Sequence, residues 1–409
     1  MKGLIKSKNY YFILSASFLI EFARSMYYIV LTWLLYELTG DPLYTGLLVG
    51  FGFLPGLFLN LFSGVLVDNL DRKKLAIGAN LIVTLVLIIL LNIFLGNLIL
   101  PWMMIVVHMI VQVSNSIYRP SLQSFVMESF NKDLLPKVFS ESGAAGDTGG
   151  LVGSTLGGLI VALFPSIVSL IVIIFCYIIG TLSLFLIKRD DTFYKKIKRK
   201  FTFGKDIVDG FNYLKLHKNL LGLFCIMFVG QLVIHNSVAF LSVYTKSFLN
   251  QSVVIYGLLD AIISIGGIVS GIFGTWWWNK SGKFVASRSL IIIAIGLLLM
   301  GLSPFWQISA IGVFLIGLGT TWVRVLLQSV QQMSVEVEYS GRMSSYRMIC
   351  NQTAVAVGGP LLGLIATKYG VNFSYISLLI PVCLVLIYSY FQAKESWFIN
   401  LTSKSVSHS

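Results

Sequence analysis

Charged side chains stand inside long apolar stretches of this sequence, where they are costly to bury and therefore point to function. Glu21 and Arg24 lie near the middle of the first stretch, three residues apart and so on one face of a helix. Asp147 lies about nine residues into another stretch, which is roughly 14 Å along a helix and near the middle of a bilayer. Because a carboxylate binds or releases a proton as its solvation changes, Glu21 and Asp147 are candidate proton carriers. The alternatives are a fixed ion pair of Glu21 with Arg24 and a fixed hydrogen bond of Asp147.

Polar and aromatic side chains at a similar depth are candidates for the lining of a substrate cavity. Arg24 and His235 are suited to contact an anionic or polar molecule. A mixed aromatic and amide lining, which suits a bulky amphipathic molecule, would come from Tyr28, Gln112, Gln231 and Asn236. The alternative for each of these four is a packing contact that holds two helices together.

Four further charges lie towards one end of their apolar stretches. We expect Arg119 and Arg324 to brace gates through salt bridges. We expect Glu141 and Arg347 to belong to a charge network with the loop that contains Asp68.

The sequence lacks the motifs of an enzyme and of an ATP-driven pump. The patterns HExxH, GxSxG and GxxxxGK[ST] are absent, and the four histidines lie far apart. The cysteines form no CxxC pair and lie in or beside apolar stretches, as reduced packing residues do: Cys176, Cys225, Cys350 and Cys383. We therefore expect no enzyme activity, no cofactor and no bound metal.

Membrane-spanning helices must position these residues. Hydrophobic residues make up 56% of the 409 residues and charged residues 11%, against about 25% charged in a soluble domain. Apolar runs long enough to span a bilayer recur twelve times, which predicts an all-α integral membrane protein. Lysine and arginine concentrate in alternate connections, so both termini are expected in the cytoplasm. The net charge of +13 follows from this bias and needs no nucleic-acid partner.

The twelve spans divide into two halves of six. Arg119 with the following Gln123-Ser124 recurs 205 residues later as Arg324 with Gln328-Ser329. The predicted domains are an N-terminal half (1–187), a basic cytoplasmic linker (188–219), a C-terminal half (220–393) and a cytoplasmic tail (394–409). Two such halves favour alternating access, in which one half rocks against the other around a bound substrate.

The loop after the second span carries a recognisable pattern. Gly64, Asp68, Arg72 and Lys73 match, position by position, the signature loop of the major facilitator superfamily, with Asp71 in place of its second glycine. Together with Leu-Thr-Gly-Asp-Pro at 38–42, this variant resembles the branch that contains macrolide-efflux proteins and the enterobactin exporter. The glycine run 149–158 in span five is similar to the antiporter motif of the superfamily, although Ser154 replaces its proline.

The resemblance implies a secondary active exporter that works by alternating access, with protons as the coupling ion. The expected substrate is a siderophore, another metallophore-like metabolite or a drug. A nutrient importer of the same fold and a lipid flippase are the alternatives. We expect a monomer in a bacterial plasma membrane, in contact with lipid, protons and a small-molecule substrate.

Overall fold

The computed structural model describes residues 8–130, 134–188, 212–335 and 339–403, and the elements in these ranges are helical. The first six helices are α1 (Lys8–Thr39), α2 (Pro42–Asn69), α3 (Arg72–Leu95), α4 (Pro101–Ser129), α5 (Leu135–Leu163) and α6 (Ser166–Leu186). Most of the predicted linker, 189–211, and the end of the predicted tail, 404–409, lie outside the described residues.

The described residues of the second half contain nine α-helices of seven residues or more. They are α7 (Lys218–Ala239), α8 (Val253–Ile272), α9 (Gly274–Ser281), α10 (Val285–Leu302), α11 (Trp306–Ser334), α12 (Ser340–Tyr369), α13 (Val371–Ser377), α14 (Leu379–Gln392) and α15 (Ser396–Ser403). Between α7 and α8 the chain makes a helical turn, Leu241–Val243, and a π-helical turn, Tyr244–Phe248.

Ten helical stretches of the described residues are long and apolar enough to cross a membrane, with α9–α10 and α13–α14 each forming one stretch. In α2, the stretch Pro42–Leu57 forms a shorter apolar helix. The helix α4 is less apolar because it carries His108, Gln112, Asn115 and Arg119. The prediction of an all-helical, multi-span membrane protein is confirmed.

Local signals in the sequence explain where several helices begin and end. The carboxylate of Asp71 accepts a hydrogen bond from the backbone N–H of Lys74 at 2.9 Å and so caps the start of α3. Pro101 occupies the first turn of α4, where its missing N–H is not needed. Gly370 ends α12 with a φ of 103°, a conformation that side chains rarely adopt.

The chain divides into two compact units, and each unit includes a short segment from the other half of the sequence. The first unit comprises the described residues of Met1–Gly40, Phe51–Phe201 and Ser252–Leu258. The second unit comprises the described residues of Asp41–Gly50, Thr202–Gln251 and Leu259–Ser409. The first turns of α2 and α8 thus belong to the unit formed mainly by the opposite half.

Glycines permit close helix packing inside each unit. In the first unit, a Cβ atom on Gly149 or Gly153 of α5 would collide with the backbone carbonyl of Phe18 or Phe22 in α1. In the second unit, a Cβ on Gly317 of α11 would collide with a backbone carbonyl of α8. The glycine run of span five is therefore a site of backbone-to-backbone contact.

Candidate functional site

An ion-pair cluster in the first unit joins three side chains from two helices. Glu21 of α1 accepts a hydrogen bond from Nε of Arg24 through Oε2 at 2.6 Å. Its other oxygen, Oε1, accepts one from Nη2 of Arg119 of α4 at 3.2 Å. The Glu21 side chain is 22% exposed and that of Arg119 is 59% exposed. One largely buried carboxylate thus bridges two guanidinium groups, which we call the Glu21 triad.

Helix geometry explains how the triad forms. Glu21 and Arg24 lie one turn apart on the same face of α1, as their spacing predicts. The helix α4 brings Arg119 to the other carboxylate oxygen of Glu21. Gly146 of α5 lies beside Glu21, and a Cβ at that position would be 3.4 Å from its Cγ.

The triad lines a cavity of about 410 Å³ within the first unit. Asp147 of α5 lines the same cavity and has an exposed side chain. The cavity therefore holds two carboxylates and two guanidinium groups, and both candidate proton carriers are among them. The other residues that line the cavity are a mixture of polar and apolar types: Ile13, Ser17, Tyr118, Leu122, Gln123, Val126, Phe139, Ser142, Gly143 and Gly146.

The structure places Arg119 at the cavity, where it forms a salt bridge with Glu21. That Arg119 braces a gate stays a prediction. The depth of Arg119 along α4 had placed it near a helix end. Only the packing of α1 against α4 shows that its guanidinium reaches the middle of α1.

Two cavity candidates of the first unit lie outside this cavity. The ring of Tyr28 lies 6.0 Å from that of His108, which is buried and also contacts the hydroxyl of Tyr27. Gln112 accepts a hydrogen bond from the side chain of Asn115 at 3.4 Å. Neither Tyr28 nor Gln112 is among the residues that line the cavity.

The other three cavity candidates belong to α7 of the second unit. His235 is half-buried, and Gln231 and Asn236 are buried. The Asn236 amide donates to the carbonyl of Leu232 at 2.8 Å and packs against Gly358. These contacts fit the alternative role given above for Asn236, which is a packing contact between two helices rather than a place in the cavity lining.

The signature loop is held by contacts inside the first unit. Arg72 forms a salt bridge of 2.5 Å with Glu128 at the end of α4, and Glu128 is almost fully buried. The ammonium of Lys73 donates to the carbonyls of Phe185 and Ile187, each at 2.7 Å, and so caps the end of α6. Gly64 and Asp68 lie in α2, but the surroundings of these two residues are outside what the structure describes.

Sequence reasoning missed Glu128, although a signal was present. Glu128 is an acid at the end of an otherwise membrane-embedded helix, and Arg72 opens the helix that packs beside it. Glu141 accepts a hydrogen bond from the Tyr10 hydroxyl and lies 3.7 Å from Lys137; its membership of a network with the Asp68 loop stays a prediction.

The second unit contains Arg324 of α11 and Arg347 of α12. Arg324 is exposed and Arg347 is half-buried. No salt bridge joins either of them to an acid among the described residues. Among those residues, no group of His, Cys, Asp and Glu side chains is arranged to hold a metal ion.

Known proteins resemble this chain along nearly its whole length. A family model described as transmembrane secretion effector matches residues 5–404. Macrolide efflux protein A of Streptococcus pyogenes is 22% identical over 361 residues, which are 86% of this chain and 88% of that protein. The staphyloferrin A transporter of Staphylococcus aureus is 21% identical over 397 residues, or 94% and 96% of the two chains.

Solved structures show the same fold. The nucleoside transporter NupG superposes with a TM-score of 0.80 at 13% identity, covering 95% of this chain and 100% of its own. The structural likeness and the family match agree with the signature loop, the helix count and the absence of enzyme motifs. The chain is a multi-pass transporter of the major facilitator superfamily and belongs to its transmembrane secretion effector family.

Proposed function

We propose that the protein is a secondary active exporter that moves a small molecule out of a bacterial cell in exchange for protons. It acts as a monomer in the plasma membrane, by alternating access. The observation that carries this proposal is the cavity of the first unit, where Glu21 and Asp147 lie together with Arg24 and Arg119.

Protonation of Glu21 changes the cavity in a defined way. The ionised carboxylate is the shared partner of Arg24 and Arg119. When it takes up a proton it loses its charge, so both guanidinium groups lose that partner and the charge of the cavity rises by one unit. A change of this size in a low-dielectric site alters which conformation and which ligand are favoured.

Asp147 supplies a second proton site on the same cavity. Its exposed carboxylate is accessible to water and to a substrate. A cationic substrate would compete with the proton there, which is the direct form of antiport. If the cavity carries substrate when it turns from the inside to the outside, and protons on Glu21 or Asp147 when it turns back, the proton gradient drives export.

The names of the relatives support export and suggest two classes of substrate. Macrolide efflux protein A is named for a drug, and the staphyloferrin A transporter is named for a siderophore. The family description also names secretion. We therefore propose a siderophore-like metabolite or a drug as the substrate.

Comparison of metabolites in cells with and without the gene tests export. Medium and cell extract are analysed by untargeted mass spectrometry in iron-poor and iron-rich cultures. Export predicts that one metabolite leaves the medium and accumulates in cells that lack the protein; its restriction to iron-poor medium identifies a siderophore. If no metabolite changes and drug resistance is also unaltered, the proposal is wrong.

Inside-out vesicles with a trapped pH dye test the coupling. The compound found above should cause proton movement in vesicles with the natural protein and not with Glu21→Gln or Asp147→Asn. Glu37→Gln is the matched control, because Glu37 lies on the same helix but does not line the cavity. Transport with normal proton movement in both cavity variants would refute proton coupling at this site.

A further inference from the structure

A group of cations and aromatic rings lies at one end of the second unit, where α10 begins and α14 ends. These two helices pack together, and at this end the buried hydroxyls of Ser287 and Ser389 lie 2.9 Å apart. Next to this contact the rings of Phe284 and Tyr390 stack with 5.9 Å between their centroids. Four cations, which we call the basic cluster, lie beside these contacts on the chain: Lys280, Lys283, Arg288 and Lys394.

Measured contacts bring the basic cluster together. Nη1 of Arg288 donates to the carbonyl of Lys280 at 2.7 Å, which joins the start of α10 to the end of α9. The ammonium groups of Lys283 and Lys394 lie over the two stacked rings, at 5.4 and 4.6 Å from the respective ring centroids. Because these rings contact each other, the cations that they hold belong to one site, although they come from distant parts of the sequence.

The basic cluster has no acidic partner in the part of the chain that the structure describes. All four side chains are exposed, and no salt bridge joins them to an acid there. Glu395, the next residue after the cluster, accepts a hydrogen bond from the indole N–H of Trp397. In the first unit, by contrast, Arg72 and Lys137 each form a salt bridge with an acid. Four cations without an acidic partner attract an anion.

Each of the two helices carries a stripe of exposed apolar side chains that leads to the basic cluster. Members of a stripe are three or four residues apart and so share one helix face. On α10 the stripe starts one turn after Arg288: Ile291, Ile295, Leu298 and Leu302. On α14 it stops one turn before Lys394: Ile380, Leu384, Ile387 and Phe391. Both helices belong to stretches that are able to cross a membrane, so their exposed apolar faces meet the acyl chains of lipids.

An anionic phospholipid has the chemistry that these features require. Its phosphate oxygens accept charge-assisted hydrogen bonds from ammonium and guanidinium groups. Its acyl chains cover the apolar stripes. Trp276 and Tyr390 are each about half exposed, and rings of this type lie at the level of lipid headgroups. A free phosphate would use the cations alone, whereas a lipid uses the cations, the rings and the stripes together.

We propose that the basic cluster binds the headgroup of an anionic phospholipid, whose acyl chains lie along α10 and α14. The site belongs to the second unit and does not depend on the proposed function. A bound headgroup joins the turn between α9 and α10 to the end of α14, and α15 packs on the same turn, Gly282–Phe284. Lipid binding therefore stabilises this end of the second unit.

Lipid titration of the purified full-length protein in dodecyl maltoside micelles tests the site. The probe is phosphatidylglycerol, with phosphatidylcholine of the same acyl chains and free glycerol phosphate for comparison. The readout is the rise in melting temperature with probe concentration. Phosphatidylglycerol should stabilise the natural protein most, and less so as salt is added. Equal stabilisation by phosphatidylcholine, or by glycerol phosphate, would overturn the proposal.

Paired lysine variants locate the site. Lys280→Gln combined with Lys394→Gln should weaken phosphatidylglycerol binding about 30-fold, since each lysine near an anionic headgroup contributes roughly fivefold. The matched control combines Lys246→Gln with Lys368→Gln, which removes the same charge from the same unit. Lys368 also lies over an aromatic ring, at 5.2 Å from the centroid of Tyr369. The control should bind as the natural protein does, and an equal loss in both pairs would overturn the proposal.

A pair that keeps the charge separates loss of the lipid site from damage to the fold. Lys280→Arg combined with Lys394→Arg should bind phosphatidylglycerol nearly as well as the natural protein. If this pair loses as much affinity as the Gln pair, the charges do not hold the lipid and the proposal is wrong. Glu21→Gln should leave phosphatidylglycerol binding unchanged, so the lipid site and the proposed export can each fail without the other.

Discussion

The two units surround corresponding arginines with different side chains. Arg119 and Arg324 occupy corresponding positions of the internal repeat, yet Arg119 forms a salt bridge with Glu21, whereas no salt bridge joins Arg324 to an acid among the described residues. Near the start of each half the repeat offset is 211 residues, so that Arg24 corresponds to His235 and Glu21 to Leu232. Among the described residues, the arginine of the first unit thus has an acidic salt-bridge partner and the corresponding arginine of the second unit has none.

The loops that follow the second helix of each half also differ. The loop before α3 is held by the buried salt bridge of Arg72 and Glu128. The corresponding region of the second half has Trp277, whose ring stacks on Trp322 at 4.3 Å and donates through its N–H to Ser289. An ionic contact in one unit is replaced by an aromatic one in the other.

The largest effect is expected from making the first unit resemble the second. Glu21→Gln leaves Arg24 and Arg119 without their shared carboxylate, so proton-coupled transport should fall by about 100-fold, equivalent to roughly 2.7 kcal/mol. The measurement is the initial rate in vesicles with an imposed pH gradient. Substrate exchange without a gradient should persist. Coupled transport near the natural rate would show that the difference between the units has no role in coupling.

A large loss of stability is expected from breaking the ionic contact of the first unit. Arg72→Gln leaves the buried Glu128 without this partner and should lower the free energy of unfolding by about 3 kcal/mol. Denaturant titration in micelles measures the change. Lys137→Gln is the control, because its pair with Glu141 is 39% exposed on both sides and contributes no more than about 0.5 kcal/mol. Equal effects would mean that burial does not distinguish these pairs.

A loss of similar size is expected from the aromatic contact of the second unit. Trp277→Ala removes the stack on Trp322 and the hydrogen bond to Ser289 and should cost about 3 kcal/mol. Trp276→Ala is the neighbouring control, since its side chain is 52% exposed. If Trp276→Ala destabilises the protein as much, the stacked pair is not what holds this loop.

A smaller effect is expected from the glycines of α5. Gly149→Ala places a Cβ against the carbonyl of Phe18 in α1 and should cost about 2 kcal/mol through overpacking. Gly150→Ala meets no atom within 4 Å and should be neutral or stabilising by up to about 1 kcal/mol. Melting temperatures of the two variants, measured side by side, check this. The reverse order would contradict the packing of α5 on α1.

The patterns of the sequence predicted a large part of this protein. Apolar periodicity and length identified the helices, because a membrane span needs about 20 apolar residues whatever its neighbours are. Asp71, Pro101 and Gly370 mark helix ends for local reasons. The one-turn spacing of Glu21 and Arg24 predicted their contact, since residues three apart share a helix face.

Contacts between distant parts of the chain were decided only by the tertiary structure. Glu21 and Arg119 are 98 residues apart, and Arg72 and Glu128 are 56 apart, so no local rule could join them. The same holds for Ser252–Leu258, which lies in the second half of the sequence and packs in the first unit. Sequence determined which helices form and which charges they bury, because these depend on hydropathy and spacing. Packing decided which charges meet, because that depends on how the helices are arranged.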